Sequence, residues 1–174
     1  MENERMNTPQ EKSRRKLLSK QSGCLTKNNG SLEKFMIAYS PSKQFELAKN
    51  QEDCVFGNYP TLADLDAQYG KNASAKWIVP QLDSIGKFAG VKVKFEPEQM
   101  RELAKIISIE HPTMKVSEFM LFVFWLKAGH YDKFYGSIDA FVITKALDQF
   151  FNPDYKYNRN AIKFQHYKKI SNKK

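Results

Sequence analysis

The residues best suited to chemistry in this chain are cations set among aromatic rings. Toward the C-terminus Lys156, Arg159 and Lys163 follow helical spacing, Lys168 and Lys169 come after them, and Tyr157, Phe164 and Tyr167 are interleaved. Cations hold phosphates and rings stack on bases, so this mixture suits DNA or RNA. A second basic run, Arg14-Arg15-Lys16, lies near the N-terminus and extends the same reading. A third group, Tyr131, Phe134 and Tyr135, has Lys127, His130 and Lys133 between its rings. Those rings lie between two apolar segments, so they are expected to turn inward and pin a turn. Their rival use is as a patch for a protein partner.

Other chemistries lack their residues. No G-x-x-x-x-G-K-[ST] or G-x-G-x-x-G run is present to cradle phosphates. His111, His130 and His166 are far apart and no C-x-x-C occurs, which argues against a metal site. Cys54 is followed by Val55-Phe56 and reads as a small core hydrophobe. Glu98 and Glu102 share a helix face, but with Arg101 and Lys105 they make a solvated, self-compensating surface. No catalytic residue, cofactor or metal is therefore expected.

The charge is placed unevenly. The 174 residues hold 28 Lys+Arg and 19 Asp+Glu, for a net charge of +9. Residues 1–30 carry seven bases and three acids, and residues 152–174 carry seven bases and one acid, so the ends hold +4 and +6. Residues 31–151 are left at −1. Basic ends on a near-neutral body suit a polyanion-binding accessory. Met1 to Lys20 has no apolar stretch of a secretory leader, and Phe119 to Leu126 falls far short of the ~18 apolar residues of a membrane span. A soluble, cytoplasmic protein is expected. Two cysteines do not make a disulfide framework.

The elements that must position these groups are helical. Residues 1–30 are too polar to offset their ordering entropy and read as a disordered tail. Leu32, Phe35, Met36 and Tyr39 give a short helix stopped at Ser40-Pro41, and a second short piece covers Lys43 to Asn50. Gly57, Asn58 and Pro60 mark a loop. Thr61-x-x-Asp64 is a capping-box pattern before Leu62, Leu65 and Tyr69, with Gly70 as the stop. Ile78, Leu82, Ile85 and Ala89 stripe a helix from about Ala73, flanked by Trp77 and Phe88. Pro80 either kinks that helix or marks its start. Val91 to Phe95 reads as an extended linker. Pro97 opens the next helix, which carries Met100, Leu103, Ile106 and Ile107.

Ser117 is the expected N-cap of the segment Phe119 to Leu126, which is apolar all round and so central. A buried strand is its rival, since Phe, Val and Trp favour strands. Ser137 or Asp139 caps the last core helix, with Ile143, Ala146, Leu147 and Phe150 inward. The fold class expected is all-α. It comprises one compact domain of about five helices over 31–151 and basic disordered tails at 1–30 and 152–174. For Ile162, Phe164 and Tyr167 the alternative is docking back on the domain or on a protein partner.

Several strings resemble a family of small proteins without an established activity. They are Pro60-Thr61-Leu62-Ala63-Asp64, Ala75 to Leu82, Glu118 to Phe122, Lys127-Ala128-Gly129 and Phe134-Tyr135-Gly136-Ser137-Ile138-Asp139. The family is common in Bacteroidetes genomes, often near phage-like or other mobile elements, and the resemblance covers about residues 59–151. It implies a fold and a mobile-element context rather than a mechanism. Family members tend to have Gly-Arg-Tyr-Gly where this chain has Gly129-His130-Tyr131-Asp132, and Arg where it has Trp125, Lys133 and Asp148. The resemblance thus implies that positive charge has moved from the central turn into the ends.

The expected function is a non-enzymatic, nucleic-acid-associated accessory of a mobile element, with a role in replication as one option. Its phosphate contacts would be Arg14, Arg15, Lys16, Lys156, Arg159, Lys163, Lys168 and Lys169, with Tyr157 and Tyr167 as stacking rings. The alternative is a protein-interaction adaptor, of a helicase-loader or host-takeover kind, that works through Tyr131, Phe134 and Tyr135. The sequence leaves the oligomeric state open.

Overall fold

Caps and apolar stripes set the elements. The structure, a computed structural model, describes residues 30–90, 95–131 and 139–172. Arg14, Arg15 and Lys16 with the rest of the expected N-terminal tail up to Asn29, the Val91–Lys94 linker, and Phe134, Tyr135 and Ser137 lie outside the described residues.

Helix α1 (Leu32–Ala38) buries Phe35. A 3-10 turn (Pro41–Lys43) leads into α2 (Gln44–Ala48). Helix α3 (Gln51–Phe56), which the sequence reading passes over, is capped by Asn50, whose side chain accepts the Asp53 N–H. It carries Cys54 and Val55 into the core. In α4 (Leu62–Tyr69) the expected capping box is present. Thr61 Oγ1 accepts the Asp64 N–H at 3.2 Å and Asp64 Oδ2 accepts the Thr61 N–H at 2.8 Å. Two free donors of the first turn are thereby satisfied. Gly70 follows at φ 94°, a conformation that disfavours any side chain.

Helix α5 (Ala73–Ala89) contains Pro80, which therefore does not mark its start. Its inward stripe is Ile78, Leu82 and Ile85, with Trp77 buried beside them, whereas Phe88 is exposed. Helix α6 (Pro97–Glu110) buries Met100, Leu103 and Ile107 and packs along α5. Helix α7 (Val116–Lys127) is the centre of the domain. It touches α2, α3, α5 and α8 (Ala140–Phe151). The helical reading of Phe119 to Leu126 prevails, because burial on every side suits an α7 surrounded by other helices. Phe119 meets Trp77 ring to ring at 5.8 Å, and each such fully buried side chain contributes about 1.5–3 kcal/mol.

Three expectations are corrected. Ser117 is not the N-cap of α7, which begins at Val116. Glu118 Oε2 accepts the Lys115 N–H at 3.0 Å, and Ser117 Oγ donates to the Cys54 carbonyl at 2.7 Å. The described residues hold more helices than five, because short α1, α2 and α3 wrap the core and another helix follows α8. That last helix, α9 (Arg159–Ser171), replaces an unstructured C-terminal tail. Asn158 caps it by accepting the Ala161 N–H at 2.8 Å, and α9 packs on α3 and α8. The docked alternative holds for Ile162, which is buried, and in part for Tyr167, whose exposed ring meets Phe56 of α3 edge-on at 5.9 Å; Phe164 faces solvent.

No strand forms among the described residues; one antiparallel bridge, Thr61 to Lys115, pins the start of α4 to the start of α7. No described helix is long and apolar enough to cross a membrane.

Candidate nucleic-acid interface

The cations of α9 divide by what they face. Arg159 turns inward. Its Nη1 donates to Glu118 Oε1 at 3.3 Å, and its guanidinium lies 4.4 Å from the Phe151 ring centroid. Glu118 is only 3% exposed, so this pair anchors the N-terminus of α9 to the core. The Arg159 Nε is buried with no hydrogen-bond partner among the described residues. Lys169 binds Glu52 on α3, and His166 Nδ1 lies 3.4 Å from the other oxygen of that carboxylate. His166 also stacks on Phe56 at 4.2 Å. Lys169 and His166 together hold the Glu52 carboxyl below its usual range. Arg159 and Lys169 therefore dock the helix on the domain.

Lys156, Lys163 and Lys168 make no ion pair among the described residues. Lys163 is partly buried, and its ammonium is pushed down by that burial and then by the neighbouring Arg159 and Lys115 cations. Of these cations Arg159 alone pairs with Glu118, and the Lys115 ammonium donates instead to the Val55 and Gly57 carbonyls at 2.7 and 2.8 Å. Lys168 is exposed beside Tyr167, 62% exposed, and Phe164, 70% exposed. In a helix, positions 164, 167 and 168 share a face, so two rings and a free ammonium point the same way.

Tyr157 is placed differently from Tyr167. Its ring stacks on His130 at 3.7 Å with 9° between the planes and meets Trp125 edge-on at 5.8 Å. Lys156 lies 5.2 Å over it. Tyr131, the one described member of the central ring group, is buried and donates its hydroxyl to the Tyr157 carbonyl at 2.9 Å. Its phenol is pushed up by burial. Tyr131 thereby ties the end of α7 to the segment that leads into α9.

A second polar group was not legible in the sequence. Lys127 Nζ donates to Gln44 Oε1 at 2.7 Å and to Ser84 Oγ at 2.9 Å. Gln44 Nε2 donates to Gln81 Oε1 at 2.7 Å, and Gln81 Nε2 to the Tyr39 carbonyl at 2.8 Å. Gln44 and Gln81 are fully buried. Burial pushes the Lys127 ammonium down to about 8. This relay fastens α1 and α2 to α5 and α7. The one available signal was the polar residues Gln81 and Ser84 within a helix that is otherwise apolar on its inner side.

Among the described residues, the thiol and the paired carboxylates singled out in the sequence have structural partners. Cys54 is buried, its thiol donates to the Leu47 carbonyl at 3.2 Å, and burial pushes it up to about 12. Such a thiol is inert. No group of three or more His, Cys, Asp or Glu that could hold a metal occurs among the described residues. Glu98 is paired with Arg101 on an exposed face, as its spacing suggests.

Comparison with known proteins places the C-terminal part alone. Residues 94–173 match the model of a family of unknown function (DUF6633). The match includes α6 to α9, so it extends past the 59–151 span of the resemblance at its C-terminal end and takes in the basic helix. No curated protein and no solved structure matches the chain.

Proposed function

We propose that the protein is a non-enzymatic accessory that holds single-stranded DNA or RNA on the outer face of α9, without sequence preference. The observation that carries this reading is the joint exposure of Phe164 and Tyr167 beside Lys168, which makes no ion pair among the described residues. A solvated ring contributes nothing to the core, and every base offers a π-face to stack on it. Lys156 and Lys163 continue the positive surface toward the start of the helix, and Arg14, Arg15 and Lys16 would add to it from the N-terminal segment. Rings that stack on bases favour single strands over a closed duplex. The cytoplasmic location and the mobile-element context, with a role in replication, belong to this proposal.

The test is fluorescence anisotropy of the full chain with labelled single- and double-stranded oligonucleotides over a range of salt. Tyr167→Ala is expected to weaken single-strand binding by about 1–3 kcal/mol, the worth of one stacked base. Lys168→Gln is expected to reduce the salt slope by about 0.7, one single-strand phosphate contact. Single-strand binding that neither variant alters would overturn the assignment to α9. The absence of binding at low salt would overturn the reading as a whole. The adaptor reading through the central rings gains no support from Tyr131, which is buried.

A further inference from the structure

A groove of about 720 Å³ runs between α5 and α6 on the side of the domain where Met36 of α1 closes it. Its floor is apolar, built from Val79 and Pro80 of α5, Met100 of α6, and Phe95 just before α6. Cavities of roughly 300–1,000 Å³ with apolar walls and few polar groups are the usual form of small-ligand sites. None of the nucleic-acid candidates lines it.

The charge around this floor is not balanced. Arg101 is paired with Glu98, and Asp83 with Lys87 at 2.6 Å. Lys76 and Lys105, both exposed, make no ion pair among the described residues, and Lys105 acts on Glu98 only through space. Helices α5 and α6 are consecutive, joined by a short connection and packed along each other, so they run antiparallel. That topology sets the N-terminal half of α5 beside the C-terminal half of α6. Lys76 and Lys105 therefore share one end of the groove, and the apolar floor extends away from them. From Lys76 to Asp83 the helix rises about 10 Å. One end of the groove is cationic and the remainder is apolar.

We infer that this groove binds a monomeric anionic amphiphile: a medium-length acyl chain along Val79, Pro80, Phe95 and Met100, with its carboxylate between Lys76 and Lys105. The inference is independent of nucleic-acid binding by α9.

The experiment is calorimetric titration of the full chain with dodecanoate below its micelle concentration, and with dodecyltrimethylammonium, which has the same chain and the opposite charge. One saturable dodecanoate site is expected, with dodecyltrimethylammonium at least about tenfold weaker. Charge reversal at the exposed rim in Lys76→Glu/Lys105→Glu should weaken dodecanoate about tenfold, in line with the loss of two partly solvated ion contacts. Val79→Trp should fill the floor and abolish binding, with the fold checked by circular dichroism. Equal binding of the two amphiphiles would overturn the inference, as would dodecanoate binding that neither variant changes. So would capture of the protein by anionic vesicles, or of an acidic amphipathic peptide in the groove, without saturable binding of the free dodecanoate.

Discussion

Lys127 and Lys169 hold the same ammonium in opposite ways. Lys127, at the end of α7, is partly buried against neutral acceptors, Gln44 Oε1 and Ser84 Oγ, with no carboxylate partner among the described residues. Lys169, on α9, is exposed and sits on the Glu52 carboxylate. The first is part of the core's polar framework and is held at the expense of its charge. The second rides on the surface and keeps its charge by pairing. Arg159 stands between them, half turned into the core and paired with the buried Glu118. The comparison shows that a count of basic residues overstates the charge available to a ligand. On α9, two of the expected phosphate contacts are occupied in docking the helix, and Lys163 and Lys168 have no such partner.

The comparison can be broken most forcefully at Glu118. Removing this carboxylate in Glu118→Ala leaves the Lys115 N–H and the Arg159 guanidinium without their acceptor. A loss of about 2–3 kcal/mol is expected, below the full value of a buried pair because Arg159 keeps some contact with water. Chemical denaturation reads the loss, and amide exchange should quicken along α9 before it does along α7. Unchanged exchange in α9 would mean that Ile162 and the Asn158 cap suffice to hold it.

Lys127 sharpens the other side. Lys127→Met removes one donor from Gln44 Oε1, a loss of about 1 kcal/mol at a buried amide, and at neutral pH this is offset by relief of the cost of burying the ammonium, so little net change is expected there. The pH dependence is more telling. Lys127 falls from 10.5 in the unfolded chain to about 8 in the fold, so between those values the unfolded chain holds a proton that the folded chain has released. Stability from this group therefore rises as pH rises from about 8 toward 10.5, and the wild type should pull away from the variant across that window. Parallel pH profiles for the two proteins would show that the ammonium is better solvated than its surroundings indicate.

The smallest effect is expected at Glu52. Glu52→Gln removes the partner of Lys169 and His166 on an exposed face, where ion pairs contribute little and are screened by salt. Thermal midpoints should coincide in moderate salt and separate only at low ionic strength. A gain in nucleic-acid affinity from the same substitution, with Lys169 and His166 released, would tie the docking surface to the proposed interface.

Much of the secondary structure was legible because it depends on neighbours in sequence. The Thr61–Asp64 box, the Gly70 stop and the apolar run Phe119 to Leu126 in α7 each rest on residues within a turn or two of one another. Ser117 misled because its hydroxyl had two uses, a cap or a long-range crosslink, and the carbonyl of Cys54 took it. α3 was missed because its six residues hold only two buried side chains, too few to show a period. For α9 the cations at helical spacing were visible, but their docking was not. It needed Glu52 and Glu118, which stand 117 and 41 positions away from their partners Lys169 and Arg159.

The amino-acid sequence by itself determined that this is a helical protein with basic ends and a central apolar helix, because periodicity, capping and composition are local properties of the chain. Which cations are spent inside the fold and which face solvent was decided only by tertiary structure, as were the relay from Lys127 to Tyr39 and the cationic end of the α5–α6 groove. Burial, hydrogen bonding and ion pairing are set by distances between helices, and those distances exist only once the helices have packed.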